Sequence, residues 1–167
     1  MYESFYGLRE RPFDLTPNPK YLYLTAKHRE ALGNLQYGII SRKSITLLVG
    51  EAGTGKTTLL RAALDSLASP TLRCVLVNNP VLTRAEFYEL LAIRFSLSEQ
   101  AASSKARFLS ELEENVIAHR RSGGTTALVI DEAQALPAEL MEEVRLLANF
   151  ETDTERLLPV VLAGQPE

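Results

Sequence analysis

Apolar positions along this chain alternate between two rhythms. Short, nearly unbroken apolar and β-branched runs occupy residues 44–49, 72–77, 125–130 and 157–163, the composition of strands buried on both faces. Between them, apolar residues recur at helical spacing. Leu32, Leu35 and Ile39 form one stripe, and Leu59, Leu60, Ala63, Leu64 and Leu67 a second. Phe87, Leu90 and Leu91 follow the capping box Thr83-Arg84-Ala85-Glu86, and Phe108, Leu109, Leu112 and Val116 mark a helix over 104–121. Thr25 is placed to cap a helix running to residue 40, Ser122-Gly123-Gly124 ends the helix before it, and Pro137 opens one through about residue 149. Pro159 cannot donate to a ladder, so regular pairing of the last strand is expected to start after it. Residues 1–24, with Pro12, Pro17 and Pro19, are expected to lie extended over the domain. Strands alternating with helices predict parallel pairing, and the fold class is a three-layer α/β sandwich.

Composition narrows this little but excludes much. With 167 residues and 46% apolar content, the chain is long enough for one real core. A net charge of −3 argues against coating nucleic acid by bulk electrostatics. The paired basics Arg42-Lys43 and Arg120-Arg121 read as solvated turns. Cys74 is the single cysteine and reads as a buried strand residue, while His28 and His119 are too few and too far apart for a metal cluster. There is no apolar signal core at the N-terminus and no stretch of membrane-spanning length, so direct membrane insertion is not expected and the cytoplasm is the expected compartment.

The chemistry concentrates at two places. Gly50-Glu51-Ala52-Gly53-Thr54-Gly55-Lys56-Thr57 has the G-x-x-x-x-G-K-T spacing of a phosphate-binding loop, set between a strand and a helix as that motif requires. Its glycines let backbone N–H groups, continuing into Thr58, turn toward an anion at the positive end of the helix. Lys56 is expected to reach the β- and γ-phosphates and Thr57 to supply a hydroxyl to Mg²⁺, which points to a nucleoside triphosphate with its metal. The second place is the strand end Ala127-Leu128-Val129-Ile130-Asp131-Glu132. Asp131 there suits the Mg²⁺ shell, and Glu132 suits polarisation of an attacking water. Gln165, at the end of the last strand, sits where an amide can meet the γ-phosphate or that water.

With both halves in hand the chain resembles an AAA+ ATPase, more narrowly the general secretion pathway ExeA/GspA type. The likeness rests on Tyr6-Gly7-Leu8-Arg9-Glu10-Arg11-Pro12-Phe13, Leu15-Thr16-Pro17-Asn18-Pro19, Tyr21-Leu22-Tyr23-Leu24 and His28-Arg29-Glu30-Ala31-Leu32. It continues through the phosphate loop and Asp131-Glu132-Ala133-Gln134 to Gly164-Gln165-Pro166-Glu167. The resemblance implies a homo-oligomer, ring or filament, that uses ATP turnover to assemble or remodel a protein partner in secretion or envelope machinery. The same branch is similar to TnsC/TniB transposition ATPases, which bind DNA, and both readings stand open. It also implies adenine contacts near Tyr21, Leu22 and His28 and an arginine finger in trans, for which Arg145 and Arg156 are the candidates.

Residues 25–167 are expected to be a P-loop core that stops before the fifth strand and the C-terminal lid of an AAA+ domain. Weak turnover and association at the sheet edge beside residues 44–49 are expected of such a piece. Among rivals, a DExx helicase would need a second recombinase-like domain and a small GTPase an Asn-Lys-x-Asp motif, and neither fits this chain.

Overall fold

The computed structural model describes residues 2–8, 23–78 and 80–166. In chain order its elements are α1 (Tyr2–Phe5), α2 (Ala26–Ile40), β1 (Ile45–Val49), α3 (Lys56–Leu67), β2 (Leu72–Val77), α4 (Arg84–Arg94), α5 (Glu99–Ser103), α6 (Lys105–Arg121), β3 (Thr125–Ile130), α7 (Ala138–Leu147) and β4 (Val160–Gly164). The four strands are parallel in the order β1-β4-β3-β2. β4 begins directly after Pro159, whose carbonyl accepts from the Leu128 N–H while its ring nitrogen has nothing to donate.

Caps delimit the helices where the sequence places them. Thr25 accepts from the His28 N–H to start α2, and Thr83 and Glu86 form the reciprocal box that starts α4. Ser104 caps α6. Ser98 likewise opens α5, a short helix that no apolar stripe announces, and Glu111 of α6 holds that corner by accepting from the Ser98 N–H and hydroxyl.

Alternation along the central strands divides the interior into two cores. Leu128 and Ile130 of β3, with Val160 and Leu162 of β4, face α4, α5, α6 and α7; Ala127, Val129, Val161 and Ala163 face α2 and α3. This is the expected three-layer sandwich. Phe87, Phe95 and Phe108 are fully buried in the first core, each contributing about 1.5–3 kcal/mol by removal from water.

The structure departs from the sequence expectations in five places. The run that became β1 does not lie buried on both faces: β1 is an edge strand, and Ile45, Leu47 and Val49 are 40%, 64% and 58% exposed while only Leu48 is buried. A periodicity of continuous apolar residues cannot distinguish a central strand from an edge strand with one uncovered face. Tyr2–Phe5 forms a helical turn rather than extended chain. Arg42 and Arg120 are not merely solvated, for both bind Glu155 at 2.9 Å, joining the turn after α2 to the end of α6. Cys74 is only partly buried, and desolvation pushes its thiol up to about 11, which keeps it protonated and unreactive. The last helix stops at Leu147, two residues earlier than the pattern suggests. No described helix is long and apolar enough to cross a membrane.

Candidate functional site

The carboxyl ends of β1, β3 and β4 lie side by side because parallel pairing forces every strand to end at the same edge, and three loops leave from there. The first is the Gly50–Thr57 loop. Gly53 and Gly55 take φ of 77° and 83°, a left-handed backbone that side chains resist. Gly55 occupies the cap position of α3 with no side-chain cap, so the first N–H groups of that helix face the loop instead of a capping oxygen. Lys56 is 9% exposed, and its ammonium donates to the carbonyls of Gly50 at 2.8 Å and Glu51 at 3.0 Å. The curl of the loop is closed by Thr54, whose hydroxyl donates to the Glu51 carbonyl at 2.8 Å.

The second loop leaves β3. Asp131 is 4% exposed, its Oδ2 accepts from the Thr57 hydroxyl at 2.7 Å, and its Oδ1 accepts from the Glu132 N–H at 3.0 Å. Among the described residues Asp131 has no ion-pair partner. A buried carboxylate beside a hydroxyl, with no cation to neutralise it, suits a hard divalent ion such as Mg²⁺ that takes few protein ligands and completes its shell with water and phosphate. No group of three or more His, Cys, Asp or Glu among the described residues offers an all-protein metal cage.

Glu132 is exposed and adopts φ 55°, ψ 40°, a left-handed conformation that costs a non-glycine residue about 1–3 kcal/mol and is characteristic of functional turns. Ala133–Ala135 then make a single 3₁₀ turn, in which the Gln134 amide donates to Glu132 Oε2 at 2.6 Å. The third loop begins at Gln165, whose N–H donates to Gln134 Oε1 at 3.1 Å.

The structure thus brings together Gly50, Glu51, Ala52, Gly53, Thr54, Gly55, Lys56, Thr57 and Thr58 with Asp131, Glu132 and Gln165 at one edge of the sheet. The other expected residues that are described have local partners. The His28 ring takes part in the cap of α2, Nδ1 accepting from the Thr25 N–H at 3.4 Å. Tyr21 and Leu22 lie outside the described residues. Arg145, in the last turn of a helix that runs away from this edge, pairs bidentately with Glu142 at 2.7 and 2.8 Å, and Arg156 pairs with Glu151 at 2.7 Å. Gln134 is the side chain that reading the motif for chemistry passed over. Its signal is an amide two residues beyond Glu132 on a turn too short for either side chain to leave the other's reach.

Residues 39–167 match the AAA domain family. The chain is 40% identical over its whole length to general secretion pathway protein A of Aeromonas hydrophila, and it spans 30% of the length of that protein. The fold is similar to Cdc6p from Pyrobaculum aerophilum, with 19% identity, 93% of this chain and 42% of that one covered, and a TM-score of 0.67. It is similar also to the ORC2 protein of Aeropyrum pernix in its ADPNP-ADP complexes, with 19% identity, 93% and 44% coverage, and a TM-score of 0.63.

Proposed function

Because the chain belongs to the AAA domain family of P-loop ATPases, we propose that the edge formed by the Gly50–Thr57 loop, Asp131 and Glu132 binds Mg²⁺-ATP and hydrolyses it. The observation that carries this reading is the 2.7 Å hydrogen bond from Thr57 to the buried Asp131, which joins the two motifs into one site.

Phosphoryl transfer needs positioning and charge stabilisation more than covalent help. The loop N–H groups and the start of α3 hold the phosphates, and Lys56 exchanges its two carbonyl partners for the β- and γ-oxygens. Thr57 and Asp131 hold the metal, which supplies neutralisation of phosphate charge when bound. Glu132 orients and polarises water, Gln165 contacts the γ-phosphate side, and Arg145 or Arg156 of a neighbouring subunit completes the site in trans. Tyr21, Leu22 and His28 are the proposed adenine contacts. Turnover drives a homo-oligomer that assembles or remodels a secretion or envelope complex, a reading supported by the 40% identity to general secretion pathway protein A.

Titration calorimetry with ATP and Mg²⁺ on the wild type and Lys56→Ala tests the site. Loss of at least about tenfold in affinity is expected, since one charge-assisted contact of this kind contributes more than a neutral hydrogen bond, with circular dichroism unchanged. Equal affinity in the variant would overturn the phosphate-loop assignment.

A further inference from the structure

Gln134 occupies an unusual position between two of the three loops. Its amide nitrogen donates to Glu132 Oε2 at 2.6 Å, and its amide oxygen accepts the Gln165 N–H at 3.1 Å. The two contacts determine each other. The Gln165 N–H can pair only with an acceptor, so Oε1 must face it, and that leaves the NH₂ end for the carboxylate. A flipped amide would set oxygen against carboxylate and NH₂ against N–H, two repulsive contacts in place of two bonds. Position 164 leaves room for this seat: a Cβ on Gly164 would lie 2.9 Å from Gln134 Oε1 and 3.2 Å from the Gln134 backbone nitrogen. Glu132 is therefore held at its backbone by a bond to Asp131 Oδ1 and at its carboxylate by Gln134.

We propose that Gln134 is a positioning residue that ties the orientation of the Glu132 carboxylate to the backbone at the end of β4, so that a displacement of Gln165 re-aims Glu132. This rests on the ATPase reading of the same site. Gln134 itself touches neither phosphate nor water in this role; it decides which Glu132 oxygen stays free and where that oxygen points. A general base misplaced by even about 1 Å loses on the order of a hundredfold in rate, so a tie of this kind has leverage on turnover without adding to nucleotide affinity.

Two variants separate this from a mere staple between the turn and β4. Gln134→Ala removes both bonds. Gln134→Glu keeps an acceptor for Gln165 but cannot donate to Glu132 and places a second carboxylate against it. The expected result is a fall in kcat of about tenfold to a hundredfold in both, with KM and the ATP dissociation constant within about twofold of wild type. Amide exchange of Gln165, followed by NMR without nucleotide, is expected to quicken about fivefold in Gln134→Ala, the loss of one hydrogen bond, and to stay near wild type in Gln134→Glu. Wild-type kcat in Gln134→Glu would reduce Gln134 to a staple and overturn the proposal, and so would unchanged Gln165 exchange in Gln134→Ala. If the wild type bound no ATP, the ATPase reading would fall, while the exchange comparison would still decide whether the tie exists.

Discussion

Two carboxylates in this molecule are equally hidden, and they are solvated by the protein in opposite ways. Asp131 and Glu143 are each 4% exposed. Glu143, on α7, sits among Arg84 and Tyr88 of α4 and Lys105 at the start of α6; Lys105 donates to both its oxygens at 2.8 and 2.9 Å, and Arg84 and the Tyr88 hydroxyl supply the rest. Burial pushes its pKa up, but the hydrogen bonds from Lys105 and Tyr88 and the charges of Lys105 and Arg84 outweigh that and hold it below the usual carboxylate range. The same site, mainly through burial and then the bond to Glu143, raises the Tyr88 phenol. Asp131 receives one hydroxyl and one N–H and no cation among the described residues. A buried acid whose charge is balanced locks helices together; one left unbalanced marks a place where a cation belongs.

The comparison can be broken most sharply at Glu143. Glu143→Ala strands the buried Tyr88 hydroxyl and unties α4, α6 and α7, and about 3 kcal/mol of stability should be lost, the low end for a buried pair because Arg84 and Lys105 can regain water. Urea unfolding would measure this, with ATP affinity expected unchanged. A stable Glu143→Ala would mean the balanced charge is ornamental.

Asp131→Asn should behave in the reverse sense. Removing an unbalanced buried charge is expected to leave stability unchanged or raise it by about 1 kcal/mol, while Mg²⁺-dependent ATP affinity falls about tenfold. Titrations with Mg²⁺ and with EDTA would separate the two effects. An Asn variant that lost stability and kept metal-dependent binding would place Asp131 with Glu143 as a structural acid.

The smallest effect is the pH dependence. The folded pKa of Glu143 lies below its unfolded value of about 4.3, so its contribution is complete above that pH and is lost as pH falls through the folded value. The stability gap between wild type and Glu143→Gln, from urea midpoints at descending pH, should therefore narrow below about pH 4.3. A constant gap would show that the charge of Glu143 is not what its neighbours stabilise.

Legibility followed the range of the interactions. The phosphate loop and the Asp131–Glu132 strand end could be read directly, because cradling an anion with consecutive N–H groups and ending a strand in acids are matters of adjacent residues. The cap at Thr25 and the capping box at Thr83 were legible for the same reason. The three-layer class followed from two alternating periods.

What the tertiary structure alone decided depends on groups distant in sequence meeting in space. The order β1-β4-β3-β2 agrees with the sheet edge expected beside residues 44–49, but nothing within five apolar residues says whether helices will cover one face of that strand or both. Arg84, Tyr88 and Lys105 became partners of Glu143 across 38 to 59 positions, fixed by how three helices pack on one face of the sheet. Gln134 stands close to the acids in Asp131-Glu132-Ala133-Gln134, yet its link to Gln165 exists only because β3 and β4 pair in parallel and end at the same edge, which lets one amide span both loops.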